Sequence, residues 1–174
     1  MIFKKMKLDG VFVLEIEKIK DERGFFARSW DTEIFSKMNL KSQIIQCNIS
    51  FNNTKGTIRG MHFQIKPYEE SKIVRCTKGE VFEVIIDLRE NSETFLQWDS
   101  IKLTQDNHKM VYVPEGCALG FQTLENNTEI FYQMTQKFFP KFAKGLRWND
   151  PKLGIKWPLP PTVISQKDKL WPLL

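Results

Sequence analysis

The chain has 174 residues, 41% hydrophobic and 27% charged, which suits a single globular domain spanning residues 1–174. No stretch nears the 18 consecutive apolar residues of a membrane span, and the start, MIFKKMKLDG, lacks a signal-peptide core; the expected location is cytoplasmic. The net charge of +5 is scattered rather than striped, so no nucleic-acid surface is expected, although a mild positive field suits a phosphate-bearing small molecule.

In chain order, short β-rich runs predict strands at Gly10–Ile16, Ser42–Ser50, Arg59–Gln64, Lys72–Arg75 and Glu80–Leu88. Further runs follow at Trp98–Leu103, Lys109–Val113, Gly120–Leu124 and Glu129–Gln136. Turn signals separate them, among them Asn52-Asn53, Lys78-Gly79, Pro114-Glu115-Gly116 and Asn126-Asn127. One helix is predicted over Thr32–Asn39, capped by Asp31, with Ile34, Phe35 and Met38 on one face. From Asp150 onward, Pro and Trp suggest a tail wrapped over the body. Regularly spaced short strands indicate an all-β sandwich or barrel, with a cavity lined by alternate residues of each strand. In the run Glu80–Leu88, Val81, Glu83, Ile85 and Asp87 share a face that mixes carboxylates with apolar groups. Phe82, Val84, Ile86 and Leu88 form a pure core face.

Cys47, Cys76 and Cys117 are too few and too far apart for a disulfide framework or a zinc site, and are expected to be buried, reduced thiols. The two histidines, His62 and His108, lie far apart, which argues against a metal site. Arg23-Gly24 and Arg59-Gly60 are possible phosphate forks, but solvated arginines give the same pattern. His62, Lys72, Tyr132 and Asp168 are the titratable groups that could do chemistry, and spacing alone does not unite them.

Several stretches together carry a resemblance. They are DERGFFARSW (Asp21–Trp30), QCNIS (Gln46–Ser50), IRGMHFQ (Ile58–Gln64), KIVRCTKGEVFEVIIDLRENSETF (Lys72–Phe95), VPEGCALGF (Val113–Phe121) and WNDPKLGIKWP (Trp148–Pro158). In these, and in the strand holding Tyr132, the chain resembles the dTDP-4-dehydrorhamnose 3,5-epimerase family. The resemblance implies a cupin-type jelly roll, a homodimer with exchanged N-terminal strands, no metal and no organic cofactor. It also implies a substrate, a nucleotide-diphosphate 4-keto sugar, and a set of roles. His62 is the base, Asp168 its partner, Lys72 the support of the enolate oxygen, and Tyr132 the acid on the far face. Arg59, with Arg23 supplied by the other subunit, would hold the diphosphate, Phe26 would pack on the base, and Gln46 and Asn48 would touch the ligand.

Where the family usually has a glutamate that accepts from thymine, this chain has Arg28. An arginine only donates, and its natural base partner is guanine, so a GDP-linked sugar is expected. The family's His–Asp pair near the sugar is Leu119 and Glu83 here, which implies a reshaped pocket. A tyrosine common in the family is Phe138. With fewer polar groups, inversion at carbon 3 is expected, alone or followed by carbon 5. A ketoisomerase and a non-catalytic nucleotide-sugar-binding module are the alternatives.

Overall fold

The computed structural model describes residues 1–174. The strands are β1 (Ile2–Lys5), β2 (Phe12–Glu15), β3 (Ile19–Asp21), β4 (Gly24–Phe26), β5 (Gln46–Asn52), β6 (Ile58–Gln64) and β7 (Lys72–Lys78). After them come β8 (Glu80–Asp87), β9 (Trp98–Thr104), β10 (Met110–Val113), β11 (Cys117–Thr123), β12 (Thr128–Met134) and β13 (Ala143–Gly145). Two short helices, α1 (Thr32–Lys37) and α2 (Gln166–Lys169), complete the chain.

Pairing is nested. β5 lies beside β12, β6 beside β11, β7 beside β10 and β8 beside β9, all antiparallel. A long hairpin folded double in this way is a jelly roll. The result is two facing sheets, ordered β1-β2-β10-β7-β12-β5 and β13-β6-β11-β8-β9. The expected all-β cupin-type jelly roll is therefore the observed one.

Both faces of each sheet are used, because a strand alternates its side chains. Between the sheets lie Val74, Cys76, Val81, Ile85, Val111 and Ile130. On the outside of the smaller sheet, Met61, Val84, Ile86 and Ala118 pack under Leu153 and Trp157 of the tail. Outside the larger sheet, Ile73, Met110 and Tyr112 pack under Phe35 of α1. Each fully buried side chain of this kind contributes about 1.5–3 kcal/mol. The pure-core face of β8 is as expected. The other face is not uniform: Glu83 lines a cavity, whereas Asp87 is held by Arg89 at 2.8 Å, Ser92 at 2.5 Å and Thr94 at 2.7 Å.

Several boundaries differ from expectation for physical reasons. Ser42–Ile45 are not strand, since β5 is an edge strand whose register with β12 runs only from Gln46↔Met134 to Asn52↔Thr128. β11 starts earlier than predicted, at Cys117, because it lies between β6 and β8 and pairs there with Asp87. α1 is short: Asp31 caps it by accepting from the N–H groups of Glu33 and Ile34, Phe35 is its one buried residue, and Met38 is an exposed C-cap. Cys47 is exposed on β5, contrary to the expectation of buried thiols. Burial pushes the thiols of Cys76 and Cys117 up to about 11 and about 12, so both stay protonated.

Gly60 interrupts β6 at φ 119°, where a Cβ would stand 2.6 Å from the Gly120 Cα. Only glycine fits there. The register between β6 and β11 shifts at this place, pairing Leu119 with His62 and Phe121 with Arg59.

Candidate active site

Between the two sheets lies a cavity of about 730 Å³. Its two walls follow from the register. On the larger sheet, Lys72, Met134 and Gln46 form one cross-strand row, and Val74, Tyr132 and Asn48 the next. On the smaller sheet, His62, Leu119 and Ile85 stand side by side across β6, β11 and β8, with Phe121 beside Glu83 in the neighbouring row. The fold thus brings together residues far apart in the chain, with His62 and Tyr132 on opposite walls.

His62 Nε2 lies 2.6 Å from Asp168 Oδ1. Asp168 is 3% exposed, on α2, where Ser165 Oγ accepts from its backbone N–H at 3.0 Å. Trp171 Nε1 donates to Oδ1 at 3.1 Å, and the Gly60 N–H to Oδ2 at 3.3 Å. Burial works to raise the Asp168 carboxyl, but His62, Gly60 and Trp171 outweigh it and hold it below its ordinary value. An anionic Asp168 accepts from Nε2–H, so the neutral tautomer that fits this pair has its lone pair on Nδ1. Such a histidine is built to take a proton and to be stabilised once it has it.

Lys72 Nζ pairs with Glu70 Oε1 at 2.7 Å, both side chains being largely buried. The ammonium keeps further donors for a ligand oxygen. Tyr132 has its hydroxyl pushed up by burial, against the Arg59 charge, so it is a neutral proton donor. Arg59 Nε donates to Asn52 Oδ1 at 2.7 Å, which holds the guanidinium at the cavity. Gln46 Oε1 accepts from the Phe138 N–H, and Asn48 Nδ2 lies 3.4 Å from Met134 Sδ. Glu83 is fully buried, and neither of its oxygens has a protein partner. Burial pushes its carboxyl up to about 8, against the pull of Lys72.

His62, Lys72, Tyr132, Asp168, Arg59, Gln46, Asn48, Glu83 and Leu119 all line this one cavity. Arg23, Phe26 and Arg28 do not. Arg23 and Phe26 belong to the β3–β4 hairpin, a separate two-stranded sheet in which Phe26 is 66% exposed and Arg23 pairs with Asp21. Arg28 Nη1 donates to Asp31 Oδ2 at 2.8 Å, which ties one arm of the guanidinium to the residue that caps α1 and leaves its other donors free. The sequence reading missed Glu70, Asn52 and Trp171. Glu70 was the most legible of them, standing two residues before a strand that opens with a lysine.

The family described as dTDP-4-dehydrorhamnose 3,5-epimerase matches residues 5–174. A dTDP-4-dehydrorhamnose 3,5-epimerase of Salmonella typhimurium is 39% identical over 178 residues, covering 100% of this chain and 96% of the relative. One of Methanothermobacter thermautotrophicus is 37% identical over 172 residues, covering 97% and 92%. The crystal structure of the Bacillus anthracis enzyme with TDP and PPi bound is similar at a TM-score of 0.95 and 35% identity, covering 99% of each chain. A Legionella pneumophila epimerase in complex with dTDP-4-keto-L-rhamnose gives a TM-score of 0.92 at 31% identity, covering 99% and 92%.

Proposed function

Since the chain belongs to the dTDP-4-dehydrorhamnose 3,5-epimerase family and is a nucleotide-sugar epimerase, we propose that it inverts carbon 3, and then carbon 5, of a dTDP-linked 4-keto-6-deoxy sugar. The observation that carries this reading is the His62–Asp168 pair facing Tyr132 across one cavity, with Lys72 between the sheets.

The protons on the carbons flanking a ketone are acidic because the resulting charge moves onto the ketone oxygen. His62 Nδ1 takes the proton, the C–H electrons pass into the enolate, and its oxygen is stabilised by Lys72. Asp168 stabilises the imidazolium. Tyr132 then delivers a proton to the opposite face of the same carbon, and the two groups regain their starting states through solvent. Arg59 holds the diphosphate. Arg23 and Phe26 complete the nucleotide site of a second protomer: their hairpin stands outside the cavity of its own chain and exposes Ile19, Phe25 and Phe26. The working form is a homodimer.

The thymidine nucleotide replaces the guanosine one expected from the sequence. Support comes from relatives whose names specify dTDP sugars. In side-by-side turnover, the dTDP-linked 4-keto-6-deoxy sugar is expected to exceed the GDP-linked one in kcat/KM by about tenfold or more, the ~1.4 kcal/mol of roughly one base-reading hydrogen bond. A preference for the GDP sugar would overturn the nucleotide assignment.

A further inference from the structure

Glu83 is used by none of the roles above, yet it is the most costly side chain in the cavity. It sits on β8 with Ile101 opposite on β9 and Phe121 opposite on β11. Its exposure is 0%, and both oxygens lack a protein hydrogen-bond partner. A carboxylate in that setting is strongly disfavoured, and a carboxylic acid much less so. The apolar neighbour Leu119 offers it nothing to bond. The titratable and charged groups of the cavity are Lys72 with its partner Glu70, Tyr132 from β12, His62 and Arg59 from β6, and Asp168 behind His62, with Cys76 of β7 in the core beside Glu83; Leu119, Phe121 and Ile101 of the flanking strands carry no charge. Of these, Lys72 alone pulls on the Glu83 proton. The same Lys72 faces the ketone oxygen in the epimerase reading.

We propose that Glu83 is a further catalytic residue, a neutral carboxylic acid that donates a hydrogen bond to the enolate oxygen supported by Lys72. The inference rests on the epimerase reading of the site. Its proton is not transferred: the O–H···O bond strengthens as negative charge builds on the oxygen and relaxes as the carbon is reprotonated. A buried acid kept neutral acts as a preorganised donor in a water-poor site, where such a donor is worth far more than in water. The substrate thereby supplies the partner that the protein withholds from Glu83.

The test compares Glu83→Gln and Glu83→Met, using wild-type deuterium uptake at the flanking carbons as reference. Glutamine keeps a neutral donor and is expected to lose no more than about tenfold. Methionine keeps the volume without a donor and is expected to lose about 10²–10³-fold in kcat, with dTDP affinity held. The wild-type rate is also expected to fall above about pH 8, where Glu83 ionises, and that limb is expected to vanish in Glu83→Gln. A melting scan confirms that both variants are folded. A methionine variant as fast as wild type, or a glutamine variant as slow as methionine, overturns the proposal. Failure of the epimerase reading is separate, because wild type itself would then take up no deuterium.

Discussion

His62→Ala is expected to abolish proton exchange at the sugar while leaving dTDP binding within a few-fold of wild type. His62 is the one group in the cavity that combines a free ring nitrogen with a buried anionic partner, Asp168 at 2.6 Å. A positioned proton-transfer group is worth about 10²–10⁴-fold. Here the loss is expected at the upper end, because the neighbour across β11 is Leu119, which cannot stand in as a base. Nucleotide affinity survives because the diphosphate is assigned to Arg59, held by Asn52 rather than by His62. Single-turnover deuterium uptake, measured beside dTDP titration, checks both halves. An alanine variant that still exchanges would remove His62 from the base role.

Tyr132→Phe is expected to separate two events that run together in the wild type. His62 remains, so the proton still leaves and a solvent deuteron returns to the same face. What disappears is delivery from the opposite wall, so the inverted product is expected to fall by about 10²–10⁴-fold while wash-in of deuterium continues. The phenylalanine keeps the packing against Val74 and Asn48 on either side of β12, so the fold is not the cause of the loss. Chiral product analysis and proton signals from the same sample give the ratio. Inversion at the wild-type rate would assign the far-face acid to another group.

Alternation made much of the barrel legible in the sequence. The two faces of Glu80–Leu88 follow from period-two patterning, whereas in Ile58–Gln64 the register shift at Gly60 breaks the alternation. Elements with few partners were harder. β1 is a short edge strand, and β3 and β4 pair only with each other, leaving them no buried face to pattern. In the site, the pairing of Asp168 with His62 was legible only through the resemblance, because α2 is four residues long and its approach to His62 depends on the path of the tail. Arg28 stands outside the cavity of its own chain, where its neighbour three residues on, Asp31, holds one arm of the guanidinium. Trp171 was out of reach because its bond to Asp168 forms only when the chain end folds back onto β6 and β13, where the ring closes over Gly145.

The proposed reaction stands or falls on an enolate made and quenched beside the ketone. Proton NMR in D₂O of a dTDP-linked 4-keto-6-deoxy sugar mixed with the wild-type protein tests it most directly. The carbon 3 signal is expected to disappear first, followed by the carbon 5 signal, with inverted product accumulating. If neither proton exchanges with the dTDP sugar or its GDP counterpart while dTDP still binds, the cavity holds the nucleotide sugar without catalysing, and the account is contradicted.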